Sequence, residues 1–223
     1  FPPGVKPPQA GIEKENLPAL EAGAQNLVKH IENMRLFGLP VVVAINAFSY
    51  DTEAELAAIK RISLEAGADA AGRSDVHGKG GEGGSELAEA VAAACAKPAQ
   101  FRYLYDLEAP IKDKIETISK TIYGAAGVDY APEADKKIAK FTEQGYGNLP
   151  ICMAKTHLSL SHDPTLKGRP EGFIVPIRDI RPSVGAGFLY PLCGEMRTMP
   201  GLPTRPAAVD VDIDENGNTV GLF

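Results

Sequence analysis

Val41-Val42-Val43-Ala44-Ile45-Asn46-Ala47-Phe48 is an apolar run that ends on an amide and an aromatic ring. Its core, residues 40–45, is short and rich in β-branched valine, and no polar residue alternates with the apolar ones. That pattern fits a strand covered on both faces, as in a parallel sheet. Sheets of that kind place ligands beyond the carboxyl ends of their strands. Asn46 and Phe48 fall there, so Asn46 can bond a ligand and Phe48 can stack on one. An equal alternative is that Asn46 caps the turn through its side chain while Phe48 plugs the core.

Helices flank this strand. Asn16 to Phe37 has an N-cap amide at Asn16, a proline in the first turn at Pro18 and a stop at Gly38. Leu20, Ala24, Leu27, Ile31 and Met34 recur at helical spacing and predict its buried stripe. Thr52 and Glu55 have capping-box spacing for a second helix through Leu56, Ile59 and Ile62, ending at Gly67. Ser85 is the expected cap of an alanine-rich helix, Glu86 to Ala96. Phe101 to Tyr105 reads as a strand. Ile111, Ile115, Ile118 and Ile122 line a fourth helix closed by Gly124, and Pro132 opens a fifth that buries Ala134, Ile138 and Phe141. Leu149 to Ala154 reads as another buried strand.

After residue 157 the pattern changes. Phe173, Val175 and Ile177 alternate, Phe188 to Leu192 is apolar, and Val209, Val211 and Ile213 alternate with aspartates. Asn216-Gly217 is a hairpin turn. The expected class is therefore α/β, a mostly parallel sheet flanked by helices with a C-terminal β-rich extension and hairpin. The expected division is a lead-in over 1–14, an α/β domain over 15–157 and a β-rich subdomain over 158–223.

The chain of 223 residues has a net charge of −6, which argues against nucleic acid as a partner. Its apolar runs are too short to span a bilayer, and no signal peptide is visible. Phe1 is not a natural start, so trimming or truncation at the amino end is expected. Three scattered cysteines suit a reducing compartment. Charge is uneven: residues 151–206 carry seven basic and four acidic side chains, whereas residues 1–150 carry 16 and 21. A basic stretch in an acidic chain suits an anionic small ligand, or is simply a loop-rich surface.

Gly78-Lys79-Gly80-Gly81-Glu82-Gly83-Gly84-Ser85 is not a P-loop, because no Lys-Ser/Thr pair stands at the required spacing. The glycines at 80, 81, 83 and 84 lead into a helix start, where free N–H groups attract anions. They also let a bulky ring approach the backbone. Lys155 and Thr156, delivered by the strand before them, are a second candidate anion contact, although a lysine there is more often simply exposed. His157, His162 and Asp163 share a serine-rich loop rather than one helical face, so no metal site is expected. There is no Gly-x-Ser-x-Gly elbow.

Several stretches together carry a resemblance. They are Pro40 to Phe48, the Gly80 to Gly84 turn, Tyr123-Gly124-Ala125, Gly147 to Thr156, Met199-Pro200-Gly201-Leu202-Pro203-Thr204-Arg205-Pro206 and the closing Gly221-Leu222-Phe223. The chain resembles the C-terminal part of formate–tetrahydrofolate ligase. The resemblance implies joining of formate to tetrahydrofolate, with ATP and magnesium consumed through formyl phosphate and 10-formyltetrahydrofolate, ADP and phosphate as products. A monovalent cation, a homotetramer and a cytoplasmic setting, with the mitochondrion as alternative, are also implied. The P-loop of such a ligase lies in an N-terminal part that would be this segment's partner. No position here matches it, so no catalytic residue is carried over and the isolated chain is expected to be inactive.

In the family an aromatic after the Ala-Ile-Asn-Ala strand packs on the pterin, and Phe48 matches it, although Ser49 replaces the proline that follows. A tryptophan before the glycines completes the sandwich, and His77 stands in its place. Arg73 stands where bacterial members carry leucine. The folate contacts implied are thus Phe48, His77, Asn46 and Arg73. A non-catalytic folate-binding or oligomerisation module with the ligase fold is the alternative.

Overall fold

β1, Val42–Asn46, and β2, Ala70–Ser74, lie side by side and parallel, in register from Val42 opposite Ala70 to Asn46 opposite Ser74. The structure is a computed structural model and describes residues 14–48, 50–194, 205–217 and 219–221. Residues 13–196 make up one compact unit, and the described residues from Arg205 onward belong to a second. The lead-in, Ser49, Met199 to Thr204 and the final Leu-Phe pair lie outside the described residues.

α1, Leu17–Arg35, begins as its sequence requires. The Asn16 side chain accepts the Ala19 N–H at 3.0 Å, and Gly38 ends the segment at φ +72°. A side chain at Gly38 would collide with the Gln100 carbonyl, 2.0 Å from an ideal Cβ. The predicted stripe is corrected at one end: Ala24 and Ile31 are buried, but Met34 is 49% exposed and Asn33 is the buried neighbour. The Asn33 amide earns that place by donating to the Ile122 carbonyl at 3.0 Å.

α2, Glu53–Glu65, opens with the predicted capping box. Thr52 Oγ1 accepts the Glu55 N–H at 3.2 Å, and Glu55 Oε2 accepts the Thr52 N–H at 3.1 Å. β2 forms although Ala68 to Gly72 make a poor strand by residue type. Its small residues suit a tight layer instead, since Leu87 packs 3.6 Å from where a Gly72 Cβ would lie. Beyond β2 come a one-turn helix α3, Val76–Lys79, a 3-10 turn, Gly80–Gly84, and α4, Ser85–Cys95. Ser85 is already helical and makes no capping bond; Gly84 holds the cap position. The capping serine is not needed because the 3-10 turn runs directly into the helix, the Ser85 N–H donating to the Glu82 carbonyl.

Phe101 to Tyr105 is not a strand. The N–H groups of Gln100 and Arg102 bond the Gly38 and Phe37 carbonyls at 3.1 Å each, and the Phe101 and Tyr103 rings stay exposed. The fourth predicted helix is α5, Ile111–Thr117, continued by a π-helical turn, Ile118–Ile122. β3, Gly127–Tyr130, and α6, Pro132–Glu143, follow, and α6 buries Ala134, Ile138 and Phe141 as its spacing predicts.

β4, Ile174–Ile177, pairs with β3 in parallel, so one ladder joins residues on both sides of position 157. β5, Asp179–Ser183, and β6, Phe188–Leu192, pair antiparallel. Residues 151–154 run parallel to β6 through bridges at Ile151–Leu189 and Ala154–Leu192. Leu149 to Ala154 was expected to be a buried strand; Ile151 and Ala154 alone form these bridges among the described residues, and Cys152 between them is exposed. The main core gathers Ile111, Ile115, Ile138, Phe141, Val175, Ile177, Ile180 and Leu189.

The polar side of α1 ties the β1–β2 layer to this core. Lys29 donates to Thr121 O at 2.8 Å, and Arg169 makes a bidentate pair with Glu32, both bonds 2.8 Å. In the second unit β7, Asp212–Ile213, and β8, Thr219–Val220, form the predicted hairpin around Gly217. The architecture is α/β. Among the described residues no helix is long and apolar enough to cross a membrane.

Candidate functional site

The parallel register brings two loops to one edge. Asn46 and Ser74 are the last paired residues of β1 and β2, and the Ala47 N–H extends the ladder to Ser74 O at 3.1 Å. Phe48 stands two residues past Asn46, and His77 three past Ser74. Both side chains are exposed, Phe48 to 49%. Phe48 therefore does not plug the core. Its N–H donates to Asp51 Oδ2 at 2.8 Å, and its carbonyl accepts the Asp51 N–H at 3.1 Å. Its ring lies parallel to Tyr50, with centroids 5.6 Å apart at 9°. Tyr50 was not anticipated, although the i, i+2 aromatic spacing was visible. Asn46 is exposed and makes no side-chain hydrogen bond among the described residues, so the capping role is not the one it has here.

His77 is carried on α3, pinned at both ends by Asp75. The Asp75 carbonyl accepts the N–H of Gly78 at 3.1 Å and of Lys79 at 2.9 Å, while its own N–H donates to Gly83 O at 2.9 Å. Only glycine fits at 83, where a Cβ would stand 2.5 Å from the Asp75 carbonyl. Gly80 and Gly81 instead face open space. The Asp75 carboxylate is held below the usual range, chiefly by its bond with Lys79 and then by the Arg73 charge. Arg73 reaches Glu53 Oε1 at 3.0 Å and Asp75 Oδ2 at 3.3 Å. Asp75, Glu53 and Lys79 were missed in the sequence. The one visible signal was the i, i+4 spacing of Asp75 and Lys79.

The glycine turn is a poor phosphate cradle. Gly83 is packed against Asp75, and Glu82 and Glu86 flank the start of α4. Carboxylates there oppose the anion that the helix dipole would attract. The one lysine beside the turn, Lys79, is paired with Asp75 at 3.0 Å.

Lys155 and Thr156 lie apart from this group; no hydrogen bond or ion pair joins them to it among the described residues. The Lys155 ammonium donates to the carbonyls of Thr156, at 3.0 Å, and Ser159. It sits 4.9 Å from the centre of the Tyr123 ring, and burial holds its pKa below the ordinary lysine value. Thr156 Oγ1 accepts the Leu158 N–H at 3.2 Å. Among the described residues no three His, Cys, Asp or Glu side chains gather as metal ligands. An apolar cleft of about 380 Å³, lined by Met34, Leu39, Val42 and Phe101 among others, opens at the other, amino end of β1.

The family model described as formate–tetrahydrofolate ligase matches residues 4–223. The chain belongs to the formate–tetrahydrofolate ligase family. It is 57% identical over 218 residues to the formate–tetrahydrofolate ligase of Desulforamulus reducens, covering 98% of this chain and 38% of that protein. It is 56% identical over 210 residues to the ligase of Herpetosiphon aurantiacus, covering 94% and 37%. The cytoplasmic C-1-tetrahydrofolate synthase of Homo sapiens is 57% identical over 221 residues, 99% of this chain and 24% of that protein. The chain thus spans well under half the length of these formate–tetrahydrofolate ligase relatives.

Proposed function

We propose that residues 1–223 form the folate side of a formate–tetrahydrofolate ligase, with Phe48 and His77 receiving the pterin. The observation that supports this is the placing of two exposed rings beyond the carboxyl ends of adjacent parallel strands, beside glycines that face open space. Exposed flat rings in such a place offer stacking to a bicyclic ring, and Asn46 offers an unused amide at the same edge.

The whole reaction would convert formate, tetrahydrofolate and ATP to 10-formyltetrahydrofolate, ADP and phosphate. Formyl phosphate would be attacked by the folate amine. The protein's part is to align the reactants and hold the charge that develops. ATP, magnesium, formate and any monovalent cation would be held by the N-terminal P-loop part of the enzyme. Residues 1–223 carry no Gly-x-x-x-x-Gly-Lys-Ser/Thr and would not make formyl phosphate alone. A cytoplasmic homotetramer is part of the same proposal.

Calorimetric titration of the chain with tetrahydrofolate tests the reading. Phe48→Ala is expected to weaken binding by about 1–3 kcal/mol, the range for losing a stacked ring. Unchanged affinity would refute the assignment.

A further inference from the structure

Arg73 is the only described side chain that joins the two loops bearing Phe48 and His77 by ion pairs. Its Nη1 reaches Glu53 Oε1 at 3.0 Å, and Glu53 opens α2 directly after the Phe48 turn. Its Nη2 reaches Asp75 Oδ2 at 3.3 Å, and Asp75 anchors both ends of the turn that presents His77. Lys79 Nζ closes the chain on the same oxygen at 3.0 Å. Two cations and two carboxylates thus alternate from one loop to the other, and their formal charges cancel.

An arginine poised to take a ligand carboxylate would leave its fork of donors open. Here the two Nη groups are turned toward protein carboxylates. A planar guanidinium suits this bridging because its donors diverge in a fixed geometry, which a lysine ammonium does not reproduce.

We infer that Arg73 is a positioning residue: it is a strut that ties the Glu53 and Asp75 loops to each other at the edge where Phe48 and His77 stand, and it does not itself bind the folate tail. The inference rests on the folate reading for its consequence, but not for the strut. Solvent reaches the pairs, with the Arg73 side chain 43% exposed. The effect is therefore modest, and salt weakens it.

Arg73→Gln and Glu53→Gln test the strut, with circular dichroism confirming that each variant is folded. Amide hydrogen exchange of the unliganded chain is read first. Both variants should exchange faster at residues 50–53 and 76–84 than the parent. Unchanged exchange in Arg73→Gln would overturn the strut whatever the chain binds.

Titration follows, with tetrahydrofolate and with a tetrahydropterin lacking the glutamyl tail. Each variant should bind both ligands about two- to fivefold more weakly, as expected for an exposed pair. In about 1 M salt, where screening acts within about 3 Å, parent and variants should converge. A direct tail contact predicts otherwise. The Arg73→Gln loss would vanish with the tailless pterin, and Glu53→Gln would tighten folate binding by freeing the guanidinium. Either result overturns the inference. The folate reading fails separately, through Phe48→Ala leaving both titrations unchanged while the exchange results stand.

Discussion

Asn46 and Ser74 end side by side on parallel strands, and the Ala47 N–H bonds the Ser74 carbonyl at 3.1 Å. That one ladder fixes where two loops leave the sheet. One carries Phe48 and the other His77, so the candidate ligand edge is a consequence of strand register rather than of either loop alone.

His77 is the smaller ring of the pair and is exposed on its one-turn helix. His77→Trp should bury more area against a bicyclic ligand and tighten tetrahydrofolate binding by about 1 kcal/mol. Calorimetric titration checks this; equal or weaker binding would mean that the ligand does not meet this face.

Gly83 and Gly81 make a matched pair. Gly83→Ala drives a Cβ to 2.5 Å from the Asp75 backbone, whereas Gly81 has nothing within 4 Å. Gly83→Ala should cost about 1–3 kcal/mol by overpacking. Gly81→Ala should be neutral or stabilising by up to about 1 kcal/mol, through the unfolded chain. Urea midpoints decide, and equal effects at both positions would contradict the packing of the turn.

Thr52 caps α2 immediately after the Phe48 turn. Thr52→Ala should destabilise the chain by about 1 kcal/mol, and Thr52→Ser should restore most of it. An unchanged urea midpoint for the alanine variant would remove the capping box from the account.

Cys193 is 2% exposed, and burial pushes its thiol from 9.0 up to about 12, the Lys155 charge opposing. The folded chain therefore holds this proton more tightly than the unfolded one. The contribution is fully present below pH 9.0 and is lost as pH rises toward about 12. Cys193→Ala should flatten the alkaline loss of stability between about pH 9 and about pH 11. Tyr123 shifts the same way and Lys155 in the opposite sense, and both feel the Cys193 charge, so the difference between parent and variant reports the thiol together with its coupling to them. Parallel curves for parent and variant would show that the thiol does not titrate as described.

Where local chemistry decides the structure, the residues announced it. Asn16, the Thr52–Glu55 box and the Ala134–Ile138–Phe141 stripe all act as their spacing indicates. β2 escaped notice because Ala70-Ala71-Gly72 is chosen for the closeness of α4 rather than for strand propensity. Phe101 to Tyr105 has strand-forming residues, yet only Gln100 and Arg102 find backbone partners at the Phe37–Gly38 turn. The site was legible as a set of rings and glycines. Its charged frame was not, because Glu53, Arg73 and Asp75 meet only once β1 and β2 are paired.

A crystal structure of the chain with tetrahydrofolate tests the central claim most directly. The account predicts the pteridine ring on Phe48, beyond the ends of β1 and β2, with His77 on its other face. A pteridine lodged in the Met34–Leu39–Phe101 cleft or beside Lys155, with Phe48 uncontacted, would contradict it.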